Sequence, residues 1–301
     1  EPSFISADGS VDLRGGRAGN LDSGPVGPLG ALYASFGGLP GVPLLTAGGP
    51  ISATAAAPTD LYQANGLFGD AVPRRTMSAD GRYVIVDTEA SNLIPGAAPY
   101  SFGAAYLVDR ATGSVRLINH RGDGLTPTAT LQSLNGAADW STVVFAASGF
   151  DDLVPGLTDN GSRITVFAMD TATSAVEALS SSALSPGAVS NGNSFDPAVS
   201  DDGRYAVYLS GATDLVPGTV DTGSFVDVFL VDRQTGTRTL VTRAAGTNQA
   251  ADRFSSRASI SPDGSTVVYD SEARDLVPGF QDRSSLGGDV FAYDVASGVN
   301  R

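Results

Sequence analysis

The sequence predicts an all-β protein: a β-propeller of four-stranded antiparallel blades, with five repeats in view. Three observations lead there. The phrase Asp-Leu-Val-Pro-Gly begins at 152, 214 and 275, and Asn-Leu-Ile-Pro-Gly begins at 92, so one unit recurs about every sixty residues. Of the 32 acidic residues, only Glu1, Glu89, Glu177 and Glu272 are glutamate; the rest are aspartate, which favours turns and caps over helix interiors. With 37 Gly and 17 Pro, the chain reads as many short strands joined by many turns.

Each element of the unit has its own signal. Ser78-Ala-Asp-Gly, Ser200-Asp-Asp-Gly and Ser261-Pro-Asp-Gly are tight turns that close a short first strand. Second strands follow, such as Tyr83–Val86 and Val267–Tyr269, and third strands such as Val228–Val231. These are nearly continuous apolar runs, which means both faces of the sheet are covered. Asp109-Arg-Ala-Thr-Gly113 and Asp232-Arg-Gln-Thr-Gly236 then turn the chain into a fourth strand, placed at Thr239–Thr242 in one copy. Asp-Leu-Val-Pro-Gly closes the loop between strands two and three: Pro fixes φ and withholds a donor, Gly permits the bend, and Leu-Val tucks beneath. A degenerate copy over 133–181 has Asp139-Trp140 where the others have Asp-Gly.

The blades fall at 1–46, 73–120, 133–181, 195–243 and 254–301, within a single propeller domain. The first copy carries an insertion at 47–72, with one helical turn expected near 58–64. A sheet with two apolar faces cannot stand alone, and radial stacking of copies buries both faces. Two closures stay open, a five-bladed ring or a piece of a larger propeller; the last copy stops partway into its fourth strand, which favours an excised piece.

The turn, loop and third-strand phrases together resemble the TolB-type, WD-repeat-like β-propeller repeats of bacterial exported proteins, over 78–301 and more weakly over 1–46. The resemblance implies an extracytoplasmic setting: periplasm, cell surface or secreted. It implies no single activity, because such blades serve scaffolds, surface proteins and hydrolases alike.

Composition narrows the function. Net charge is −14, every one of the 18 basic residues is arginine, and no basic cluster stands out, so nucleic acid is not an expected partner. No apolar run approaches the roughly eighteen residues of a membrane helix, so membrane insertion is not expected. Without cysteine there is no disulfide, thiolate metal site or cysteine nucleophile. His120 is the only histidine and no Gly-x-Ser-x-Gly elbow occurs, so no hydrolase triad is expected and His120 reads as a loop residue. Asp80, Asp202 and Asp263 recur at one turn, and Asp109, Asp170, Asp232 and Asp294 at another; recurrence points to capping, since a catalytic pair would break the repeat.

Calcium is the leading cofactor reading. Asp221 and Asp227, then Asp282 and Asp289, bracket Gly/Ser-rich loops before third strands, and oxygen-rich loops suit hard cations. None matches the Asp-x-Asp-x-Asp-Gly pattern, and solvated loops are the competing reading. Arg121-Gly122-Asp123 reads as a chance tripeptide. The 47–72 insertion carries Leu61, Tyr62, Leu67 and Phe68, candidates for binding a protein partner, because loops that exceed a repeat often carry function. The expected function is a non-enzymatic scaffold or protein-interaction module. The alternatives are the propeller part of a larger secreted hydrolase or adhesin, and a calcium-stabilised surface module.

Overall fold

The computed structural model describes residues 3–5, 11–16, 31–36, 42–45, 77–88, 94, 104–120, 124–125, 130–149, 153–158, 163–221, 225–280 and 287–301. Every regular element among them is a β-strand, and none of their segments is a helix long and apolar enough to cross a membrane. The chain divides into two compact units, one of residues 1–131 with 150–153 and one of 132–149 with 154–301.

The first unit holds two sheets. Blade 1 comprises β1 (Ser3–Ile5), β2 (Val11–Gly16), β3 (Ala31–Phe36) and β4 (Val42–Leu45) in sequential antiparallel order. Blade 2 comprises β5 (Tyr83–Thr88), β6 (Ala104–Asp109) and β7 (Ser114–Leu117). Its first strand is reduced, among the described residues, to a bridge between Met77 and Val84. The insertion at 47–72, with the expected helical turn and Leu61, Tyr62, Leu67 and Phe68, lies outside the described residues.

The second unit holds three four-stranded sheets. Blade 3 is β8 (Thr130–Gly136), β9 (Thr142–Ser148), β10 (Thr165–Asp170) and β11 (Val176–Ala178). Blade 4 is β12 (Ser194–Val199), β13 (Tyr205–Ser210), β14 (Asp227–Asp232) and β15 (Thr237–Leu240), and blade 5 is β16 (Ser255–Ile260), β17 (Thr266–Ser271), β18 (Asp289–Asp294) and β19 (Val299–Asn300). The second and third strands stand where the apolar runs predict. The fourth strand of blade 4 begins at Thr237, two residues earlier than expected, because Gly236 at φ 71° completes the turn and Thr237 pairs with Asp232 at once.

The apolar runs divide by parity, as pleating requires. In β13, Ala206 and Tyr208 join Val144, Ala146, Val166 and Leu179 of blade 3 in one core. Val207 and Leu209, on the opposite face, join Val267, Tyr269 and Phe291 of blade 5 in another. Blades 3, 4 and 5 each carry an aromatic pair directly across strands two and three: Phe145–Phe167, Tyr208–Phe229 and Tyr269–Phe291, with centroids 5.5–5.9 Å apart.

In blade 3, Trp140 takes the glycine position of the Asp-Gly turn and keeps its left-handed φ of 58°. Burial of the whole indole offsets that strain, since a β-carbon on Gly136 would lie 2.7 Å from the ring. Ser141 N still donates to Asp139 Oδ1 at 2.9 Å, so the capping aspartate survives the loss of glycine.

Candidate functional site

The up-down order of strands puts two kinds of connection at opposite ends of the blades in the second unit. Turns between strands one and two, and between three and four, share one end. The longer loops between strands two and three, and from strand four to the next blade, share the other. The ends have different chemistry.

The short-turn end carries the recurrent carboxylates, and the fold uses them. Ser200 Oγ donates to Asp202 Oδ1 at 2.6 Å, Arg204 N donates to the same oxygen at 3.0 Å, and Tyr205 N donates to Ser200 Oγ at 3.0 Å. The network repeats at Ser78, Asp80 and Tyr83 and at Ser261, Asp263 and Thr266. The Ser261 hydroxyl and the Ser265 amide and hydroxyl hold the Asp263 carboxyl down to about 2. Arg204 grips Asp232 with two parallel bonds, Nε to Oδ1 at 3.0 Å and Nη2 to Oδ2 at 2.8 Å, and Arg82 grips Asp109 in the same way. That grip is the first cause holding both carboxyls below the usual range. Asp170 and Asp294 cap their own turns through Thr173 and Ser297. These are ionised turn caps, with no acid poised to give up a proton near neutrality.

At the long-loop end, Asp-Leu-Val-Pro-Gly is more than a loop closure. Leu215 and Leu276 are buried in the two inter-blade cores, as the tucked reading predicts, and Gly218 and Gly279 adopt φ of 79° and 73°. The aspartate reaches back to the preceding connection. Asp214 Oδ1 accepts from Asn191 N at 3.0 Å and its carbonyl from Ala183 N at 2.9 Å; Asp275 accepts from Asp252 N and Ala245 N at 3.3 and 2.7 Å. The phrases at 214 and 275 therefore staple their blades to the loop leaving the blade before. Sequence reasoning missed this role, although the invariant aspartate at the head of three phrases is its signal.

The loops held by these staples expose Leu184, Val220, Phe225 and Phe254. Phe225 and Phe254 are neighbours, since Ser255 N donates to Val226 O at 2.9 Å. In the second unit, the other large exposed apolar side chains among the described residues are Val268, Val290 and Val299, all on blade 5.

The candidate calcium residues part company. Asp227 opens β14 and is buried; Thr242 Oγ1 donates to its Oδ1 at 2.7 Å and accepts from Val228 N at 3.0 Å. Burial, reinforced by the nearby carboxylates of Asp221 and Asp275, pushes the Asp227 carboxyl up to about 7 against the pull of the Thr242 bond. Asp221 and Asp289 are half-buried, and Asp282 lies outside the described residues. The described residues contain no group of three or more acidic or histidine side chains arranged to hold a metal ion. Thr242 belongs to a recurring device: Asn119 and Ser180 occupy its position in blades 2 and 3 and accept from Ala105 N and Val166 N at 3.2 and 2.8 Å. His120, beside Asn119, follows β7 and is buried. Residues 121–123 are outside the described residues.

No family model and no curated protein matches the chain. Among solved structures, the chain is similar to dipeptidyl peptidase 4 of Porphyromonas gingivalis, with a TM-score of 0.51 and 10% identity, over 99% of this chain and 38% of that one. The fold is a β-propeller. TolB from Acinetobacter baumannii is matched at a TM-score of 0.43 and 14% identity, over 100% of this chain and 53% of that one. The β-propeller domain of the Trilobed protease from Pyrococcus furiosus is matched at 0.47 and 9%, over 98% and 68%. The propeller thus spans about half the length of the TolB structure and less of the peptidase.

Proposed function

We propose that this chain is a non-enzymatic, extracytoplasmic propeller that acts as a scaffold and protein-interaction module. Its working surface is the long-loop end of blades 3–5. One observation carries the reading: the two ends are chemically segregated. At the short-turn end the recurrent aspartates are consumed by turn caps and arginine clamps. At the long-loop end, staples hold Leu184, Val220, Phe225 and Phe254 out to solvent, and Leu184 is 67% exposed. Large apolar side chains grouped on one side of a rigid scaffold suit a macromolecular partner with an apolar contact surface.

The test is a cross-linking capture from the extracytoplasmic fraction of the source cell, with the parent and a Phe225→Ala/Phe254→Ala variant. The reading predicts a defined protein captured by the parent and lost with the variant, both folding alike. Turnover of an ester or peptide panel by the parent would contradict it and favour a hydrolase's propeller. Addition of EDTA leaves the melting temperature unchanged on this reading; a clear drop would favour a calcium-stabilised module.

A further inference from the structure

The staples at the two junctions of the second unit are near copies with one chemical difference. At the blade 3–4 junction Asn191 N donates to Asp214 Oδ1, Asn191 Nδ2 donates to Thr213 Oγ1 at 2.8 Å, and Thr213 N donates to Asn191 Oδ1 at 2.9 Å. At the blade 4–5 junction Asp252 N donates to Asp275 Oδ1, and Arg274 N donates to Asp252 Oδ1 at 3.0 Å. Asn191 and Asp252 are thus equivalent, one an amide and the other an acid. Asn191 is exposed, and the residue after it is Gly192. Gly192 has no room for a side chain, because a β-carbon there would lie 2.5 Å from the Gly211 carbonyl group. The geometry therefore demands glycine at 192, itself buried, and with Asn191 before it the sequence makes an Asn-Gly pair, the dipeptide whose backbone nitrogen, with no side chain beside it, closes most readily on the preceding amide.

We propose that Asn191 is a deamidation site, gated by its bonds to Thr213, whose aspartyl product gives the blade 3–4 junction the chemistry of the blade 4–5 junction. In the step, Gly192 N loses its proton and bonds to Asn191 Cγ. The Cγ–Nδ2 bond breaks, and ammonia leaves with that proton. Water then opens the ring at either carbonyl, giving an aspartyl or an isoaspartyl linkage. Two bonds to Thr213 fix the carboxamide in place, and ring closure needs it to turn toward Gly192 N, so reaction waits on opening of the staple. The aspartyl product keeps the acceptor for Thr213 N, as Asp252 does for Arg274 N. It loses the donor to Thr213 Oγ1 and adds a carboxylate beside Asp214. The isoaspartyl product routes the main chain through the side-chain carbons and breaks the pairing with Asp214.

The experiment is peptide mapping by mass spectrometry of the full chain held at mildly alkaline pH. Asn191 should convert faster than Asn193 or Asn248, and Thr213→Val should raise its rate about fivefold, the factor expected for one lost hydrogen bond. Asn191→Gln should abolish the signal. Asn191→Asp should fold and melt within a few degrees of the parent. An Asn191 that stays intact while other asparagines react, a rate unmoved by Thr213→Val, or an Asn191→Asp chain that does not fold would each overturn the proposal.

Discussion

Blades 4 and 5 share one repeat and differ in the burial of one face. In blade 4 both faces are buried: Val207 and Val228 are 0% exposed on the face toward blade 5, while Ala206 and Tyr208 are sealed against blade 3. In blade 5 the equivalents of Val207 and Val228 are Val268 and Val290, which are 42% and 71% exposed. Where blade 4 has Leu209, blade 5 has Asp270, paired with Arg257 at 3.3 Å. The pairing of the first three strands and the Ser-Asp turn between strands one and two are nevertheless the same in both blades. The turns therefore shape a blade, and the face-to-face cores hold blades together.

That comparison can be broken most sharply with a charge. Val207→Asp should destabilise the chain by more than about 4 kcal/mol in denaturant unfolding, since the carboxylate has no partner between two sheets. Val268→Asp, at the equivalent site, should stay within about 1 kcal/mol. Equal losses would refute the difference between the faces.

The next effect is one of pH. Asp227 has a folded value near 7, above that of an unfolded aspartate, so the native state holds a proton that the unfolded chain has released. The contribution of Asp227 to stability is therefore greatest below about pH 4, falls as pH rises, and levels off above about pH 7, a loss of up to about 4 kcal/mol. Asp227→Asn should flatten that decline and be the more stable protein at pH 8. Parallel pH–stability curves for the two proteins would remove Asp227 from the account.

The smallest effect concerns the latch between blades 3 and 4. Arg233 Nε donates to Glu177 Oε1 at 2.7 Å, and its Nη1 to Thr142 Oγ1 at 3.0 Å. Blade 5 has Val295 at that position. Arg233→Ala should cost about 1 kcal/mol, partly screened by salt because Glu177 is half exposed. A loss comparable to that of Val207→Asp would move the junction's strength from core to latch.

Much of this architecture is legible in the sequence because its causes are local. A serine, an aspartate and a glycine close a turn within six residues, and apolar runs mark strands two and three. Even Trp140 stands out as the departure from Asp-Gly. What escapes is set by partners far apart in sequence. The grip of Asp214 on the Asn191 amide, and of Arg233 on Glu177, spans two blades and leaves no periodic trace. The sequence places the fourth strand of blade 4 two residues late because it is an edge strand, half exposed, with no apolar run to mark its start. The exposed apolar side chains escaped for a related reason: Phe225 and Phe254 look like core residues until the staples show which way their loops are held. Only the 47–72 insertion announced itself as a candidate binding segment by breaking the repeat.

The central claim is that a blade covered on both faces owes its stability to both cores. Native-state amide hydrogen exchange on this chain tests it directly. The account predicts that the paired amides of β13 and β14 exchange more slowly than those of β17 and β18, with the slowest blade 4 amides opening only in global unfolding. Equal protection in the two blades, or slower exchange in blade 5, would contradict it.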